Sequence, residues 1–120
     1  MEAKQFLLIS RRAPYGTSAA RDLLDIALTC SVFEQNAALL LIGDGVLQLL
    51  PHQQPEQLGQ KSLNALQASL PFYDLDTIYV DQDSLDYHQL EASALAVEVI
   101  QVDAQAQARL LQDYDVILTV

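Results

Sequence analysis

The sequence has a single cysteine, Cys30, so it can close no internal disulfide and build no thiolate metal cluster. That agrees with a reducing compartment. Basic residues are also few: six Lys and Arg stand against sixteen Asp and Glu, a net charge of -10. Proteins that grip nucleic acid directly carry a basic face, because neutralising phosphate dominates their affinity. Here only Arg11 and Arg12 are adjacent, so direct binding to nucleic acid or to an anionic membrane is not expected. Long apolar runs are missing as well. Residues 1–10 hold only the four-residue run FLLI, shorter than the apolar stretch of a signal peptide or of a spanning helix. The expected location is the cytoplasm.

What is present suits one globular domain covering residues 1–120, with 51% hydrophobic and 18% charged residues. Strand-like and helix-like segments alternate. KQFLLIS (4–10) reads as a buried strand closed by Arg11 to Gly16. Thr17 or Ser18 can N-cap a helix over about 18–34, whose positions Ala20, Leu23, Ile26, Ala27 and Cys30 share one stripe. AALLLIG (37–43) is a second apolar strand, followed by Gly43-Asp44-Gly45 and a short VLQLL turn stopped by Pro51. Residues 56–70 read as a helix with Gly59, Leu63, Leu66 and Leu70 at helical spacing. TIYV (77–80) is strand-like, 84–90 a short helix capped by Asp83, and 96–102 a further strand. Asp103 caps an alanine-rich helix to about 113, and DVILTV (115–120) is the last strand. Such alternation implies a three-layer α/β domain: a mostly parallel sheet of about five strands with helices on both faces.

Several residues have both a chemical and a plain structural reading. A reactive cysteine needs an accessible, low-pKa thiolate. Cys30 instead lies in the last turns of its helix, where the dipole disfavours a thiolate, and in the apolar stripe; a buried structural cysteine is the preferred reading. Backbone N–H groups from Gly16 to Ala19, with Thr17 and the nearby Arg11 and Arg12, could hold an anion. There is no G-x-G-x-x-G and no phosphate-loop lysine, so a turn and N-cap are preferred. Asp44, between Gly43 and Gly45, reads as a cap for the VLQLL turn rather than a general base, since a base needs a partner or pocket. His52 and His88 lack metal-ligand spacing and read as solvated. Asp74, Asp76, Asp81, Asp83, Asp86 and Glu91 form a negative band, either a solvated face or a dock for a basic partner. On the first helix, Leu28 and Val32 fall outside the core stripe when residues advance about 100° each; they are candidate partner-facing positions.

The loop APYGTSAAR (13–21), the stretch IGDGVLQLLP (42–51), FYDLDTIYV (72–80) and the terminal YDVILTV (114–120) resemble, in that order and spacing, the TusC family of DsrF-like sulfur-relay proteins. The likeness runs from about residue 4 to 120, with DGVLQLLP and YDVIL its most specific parts. Val120 stands where the family often has an aromatic residue. The resemblance implies a flavodoxin-like DsrE/DsrF fold and a subunit without catalytic residues or cofactor. It also implies partners: TusB-like and TusD-like subunits in a heterohexamer with two copies of each, the sulfur-carrying cysteine being on the TusD-like chain. That complex passes persulfide sulfur from TusA to TusE for 2-thiouridine formation at the tRNA wobble position. The alternative is a stand-alone flavodoxin-like protein that binds a small phosphate-bearing ligand at its Gly16 and Gly43 loops.

Overall fold

The computed structural model describes residues 4–11, 19–33, 35–50, 77–95 and 97–120. Among them, β1 (Gln5–Ser10), β2 (Asn36–Leu41), β3 (Ile78–Asp81), β4 (Ile100–Val102) and β5 (Val116–Thr119) form one sheet in the order β4-β3-β2-β1-β5. Every pairing is parallel, with Phe6 opposite Ala37 on one side of β1 and opposite Val116 on the other. The described helices are α1 (Ala19–Val32), α2 (Gln82–Tyr87) and α3 (Ala104–Asp113), joined by a 3-10 helix over Gly43–Leu49 and a short 3-10 turn over Ala92–Ala94. The α/β class and the mostly parallel five-strand sheet expected from the alternation are what the chain forms. The expected helix over 56–70, the Pro51 stop, the 13–18 loop and His52 lie outside the described residues.

Strand order explains the layers. From β1 to β4 each connection steps the same way across the sheet, and the connection from β4 to β5 reverses over three strands. Right-handed crossovers then place α1 and α2 on one face and α3 on the other. Alternate strand residues follow suit. Leu8, Leu39, Leu41, Ile78 and Val80 pack with Leu23, Leu24, Ala27 and Cys30 of α1, with Val46 and Leu49 of the 3-10 helix and with Leu85 of α2. Leu7, Ile9, Ala38, Leu40 and Val102 face the opposite way, toward Tyr79, Ala106, Leu110 and Tyr114. Central strands covered on both sides need apolar residues throughout, which is why FLLI and ALLL do not alternate with polar ones. Each fully buried leucine contributes about 1.5–3 kcal/mol relative to exposure.

Two local expectations change. The strand expected over 96–102 is only Ile100–Val102, because Leu95, Val97 and Val99 pack sideways onto the α1 core layer instead of pairing in the sheet. Leu28, counted beyond the stripe of α1, is half-buried against the same layer, whereas Val32 is 71% exposed. The 3-10 helix contributes Val46 and Leu49 to this layer.

Candidate functional site

In a parallel sheet the strand-to-helix loops gather at the carboxyl edge, where α/β proteins place their chemistry. The described part of that edge is built from Ser10 at the end of β1, the Gly43 turn after β2, Asp81 at the end of β3 and Asp103 after β4. Of the residues singled out in the first loop, Arg11 is exposed; Arg12, Gly16 and Thr17 lie outside the described residues.

Gly43 opens the 3-10 helix with φ +59, a left-handed conformation that glycine adopts without steric cost. Gly45 is needed for another reason: a Cβ there would fall on the Ser10 carbonyl oxygen. The two glycines therefore let the turn bend and press against the end of β1. Their N–H groups are engaged within the protein, Gly43 donating to Ser84 Oγ at 2.7 Å and Gly45 to the Ile42 carbonyl at 3.0 Å. Asp44 does not cap this turn. Ile42 occupies the N-cap and supplies no side-chain hydrogen bond, while the Asp44 carboxylate lies 3.2 Å from His88 Nε2. His88 is accordingly not a fully solvated residue: its side chain is 18% exposed and its ring meets Tyr87 edge-on.

Asp81 is the hub of the edge. Its Oδ2 accepts the Ser84 N–H at 3.1 Å and the Ser84 hydroxyl, and its Oδ1 accepts from Gln107 Nε2 on α3. Gln107 Nε2 also donates to the Val102 carbonyl at 3.2 Å. One carboxylate thus ties β3, α2, α3 and, through Ser84, the Gly43 turn. It is also the N-cap of α2, the role expected of Asp83. Asp103 caps α3 as expected, accepting the Ala106 N–H at 2.8 Å. The hub residues Ser84 and Gln107 were not singled out from the sequence; the Asp81-x-x-Ser84 spacing was the available signal, since an N-cap carboxylate accepts from the residue three positions on.

This arrangement holds structure together more than it prepares chemistry. The carboxylate that faces the Ser84 hydroxyl, Asp81, is already engaged in capping α2 and in holding Gln107. Among the described residues no three of His, Cys, Asp and Glu gather where they could hold a metal ion, and no described helix is long and apolar enough to cross a membrane.

Cys30 sits in the last turns of α1, 9% exposed. Burial pushes its thiol above the ordinary value, outweighing a backbone hydrogen bond that lowers it. Cys30 itself lines the floor of an apolar groove of about 380 Å³ between α1 and β5, whose other lining residues include Phe6, Asp25, Ile26, Phe33 and Leu118. Phe33 is 69% exposed. On a helical count Ile26 and Phe33 lie on the flank of α1 away from Leu28.

The model of the DsrE/DsrF-like family matches residues 4–120. The chain is 39% identical over 117 residues to a protein named TusC homolog from Pseudomonas aeruginosa, covering 98% of each. It is 35% identical over 104 residues to the intracellular sulfur oxidation protein DsrF of Allochromatium vinosum, covering 87% of this chain and 76% of that one. Among solved structures, the ychN protein of E. coli superposes with a TM-score of 0.84 over 99% of this chain and 100% of that one, at 19% identity. That last likeness is one of fold.

Proposed function

The chain belongs to the DsrE/DsrF-like family, and from that premise we propose that it is an accessory subunit of a sulfur relay serving 2-thiouridine formation in tRNA. It holds TusB-like and TusD-like partners, two copies of each subunit making the complex, which receives persulfide sulfur from TusA and delivers it to TusE. The observation that carries this reading is the state of Cys30. A family concerned with sulfur needs a reactive thiol somewhere, and the one thiol of this chain is buried with its pKa raised. A persulfide carrier requires the opposite environment. The chain therefore serves by positioning a partner that carries the sulfur. Near-complete coverage of both chains favours the TusC-type role over that of the sulfur oxidation protein.

A stand-alone phosphate-binding protein finds less support. The Gly43 and Gly45 N–H groups already have acceptors inside the fold, and the carboxylates of Asp44 and Asp81 at the same edge repel an anion.

The test is genetic and biochemical together. Deleting the gene in its host should lower tRNA 2-thiouridine, and a tagged wild-type chain should restore it and co-purify with TusB- and TusD-like chains. Cys30→Ser should restore it equally, since the thiol carries no sulfur. Unchanged thiolation after deletion overturns the reading, as does a Cys30→Ser chain that folds and assembles yet restores nothing.

A further inference from the structure

β5 ends the sheet beside β1, so half of its backbone groups point away from any described strand. Soluble proteins blunt such edges with charges, prolines or bulges. Val116–Thr119 has neither charge nor proline, and it leaves Ile117 36% and Leu118 37% exposed, one on each sheet face. Leu118 is at the same time a wall of the groove against α1. An edge with no described strand beside it and an apolar groove thus form one continuous surface, extended at the end of α1 by Phe33.

The walls tell what could fill it. Small-molecule sites bury roughly 70–90% of their ligand, and a wall as open as Phe33 cannot do so. A second copy of this chain is disfavoured, because each copy brings a net charge of -10 and like fields oppose approach. Acidic residues also surround the surface: Asp25 lines the groove, and Asp113 and Asp115 precede β5. A less acidic protein with an apolar extended segment and flanking Lys or Arg complements both features. Resting on the reading of this chain as a subunit, we propose that the β5 edge and the α1 groove are the docking surface for a less acidic DsrE/DsrF-like partner. The partner lays an extended segment along β5 and sets an apolar side chain against Phe33 and Leu118.

The experiment uses the tagged full-length chain purified from its host, with retained proteins identified by mass spectrometry. Phe33→Asp combined with Leu118→Asp should lower the retained DsrE/DsrF-like partner by about tenfold or more, as expected for central apolar anchors. Retention by the wild-type chain should weaken as ionic strength rises. Hydrogen exchange on the wild-type chain gives a readout independent of any variant: amides within Val116–Thr119 should exchange more slowly in the complex than in the isolated chain. A folded double variant that retains the partner at wild-type yield overturns the surface and leaves the subunit reading standing. Unchanged exchange along β5 overturns it too, and decides the matter if the double variant fails to fold. A wild-type chain that retains no related domain overturns the subunit reading and the surface with it.

Discussion

Gln48 Nε2 donates to Ser10 Oγ at 2.9 Å inside the core, across 38 residues of sequence. Both side chains are sealed from solvent, at 1% and 0% exposure. The bond holds the 3-10 helix against the end of β1, at the place where Gly45 lies against the same residue. A buried polar group stripped of its partner costs about 1–3 kcal/mol. Ser10→Ala should therefore destabilise by that amount in urea unfolding. The pair Ser10→Ala and Gln48→Leu should cost less than the two single changes added, because neither polar group is left stranded. Strict additivity would show that the two side chains do not act together.

The two glycines of the turn should respond differently to the same substitutions. Gly43→Ala meets open space but must hold a left-handed backbone, a cost of about 1–2 kcal/mol. Gly43→Asn should recover part of it, since asparagine tolerates that conformation. Gly45→Ala drives a methyl into the Ser10 carbonyl, and forcing such a contact costs about 1–3 kcal/mol. Here Asn should be worse than Ala. Thermal unfolding of the four variants checks the pattern, and a Gly45→Asn chain as stable as wild type would contradict the close approach.

Asp81 and Asp83 are two residues apart, and the hydrogen bonds separate them. Asp81→Ala removes the α2 cap and strands Ser84 and Gln107, so a loss of about 2 kcal/mol is expected. Asp83 is exposed, and Asp83→Ala should change stability by less than about 0.5 kcal/mol. Denaturant midpoints compare them directly; equal losses would return the cap to Asp83.

Alternation of apolar runs with capped, periodic segments made the α/β class legible, and the Asp103 cap was read correctly from its place before an alanine-rich stretch. The polar hub was less legible for a physical reason. Asp81, Asp83 and Asp86 crowd the same short stretch, and any acid near a helix start has the chemistry of a cap. Which one serves depends on where β3 stops. The Gln107–Asp81 bond depends on more: β4 must lie next to β3 before α3 can return over the sheet. Only local partners are visible in a sequence, so Asp44 reads as the cap of its own turn, whereas its observed partner, His88, lies at the end of the helix after β3. The same limit applies to α1. A count of 100° per residue predicts which side of a helix faces a sheet, and it placed Leu23, Ala27 and Cys30 correctly. It carries no information about what else packs onto the same core layer, and Leu28 is half-buried against that layer although the count put it outside.

Tyr114 supplies a pH dependence. Burial raises its pKa well above the usual tyrosine value, and the hydrogen bond its hydroxyl donates to Tyr79, with the charges of Tyr79 and Asp113, adds to the effect. The folded state therefore keeps the phenol protonated where the unfolded chain has begun to lose its proton. Stability from this group is complete below about pH 10, the ordinary tyrosine value, and falls as pH rises above it. Urea midpoints measured through the alkaline range should decline in the wild-type chain and decline less in Tyr114→Phe. Parallel curves for the two proteins would remove Tyr114 as the cause.

The pairing of Phe6 with Val116 also orders events during synthesis. β1 emerges from the ribosome before β2, β3 and β4, yet one of its two sheet neighbours is made after all of them. Until then its outer edge has no strand of its own chain beside it, while β2 can already pair on the other side. A nascent chain at this stage presents Leu7 and Leu8 next to a vacant position in the sheet, the kind of exposed template on which chains misassociate. Chaperone engagement, or a pause before β5 is translated, would act on this interval, and β5 is the segment whose arrival closes it.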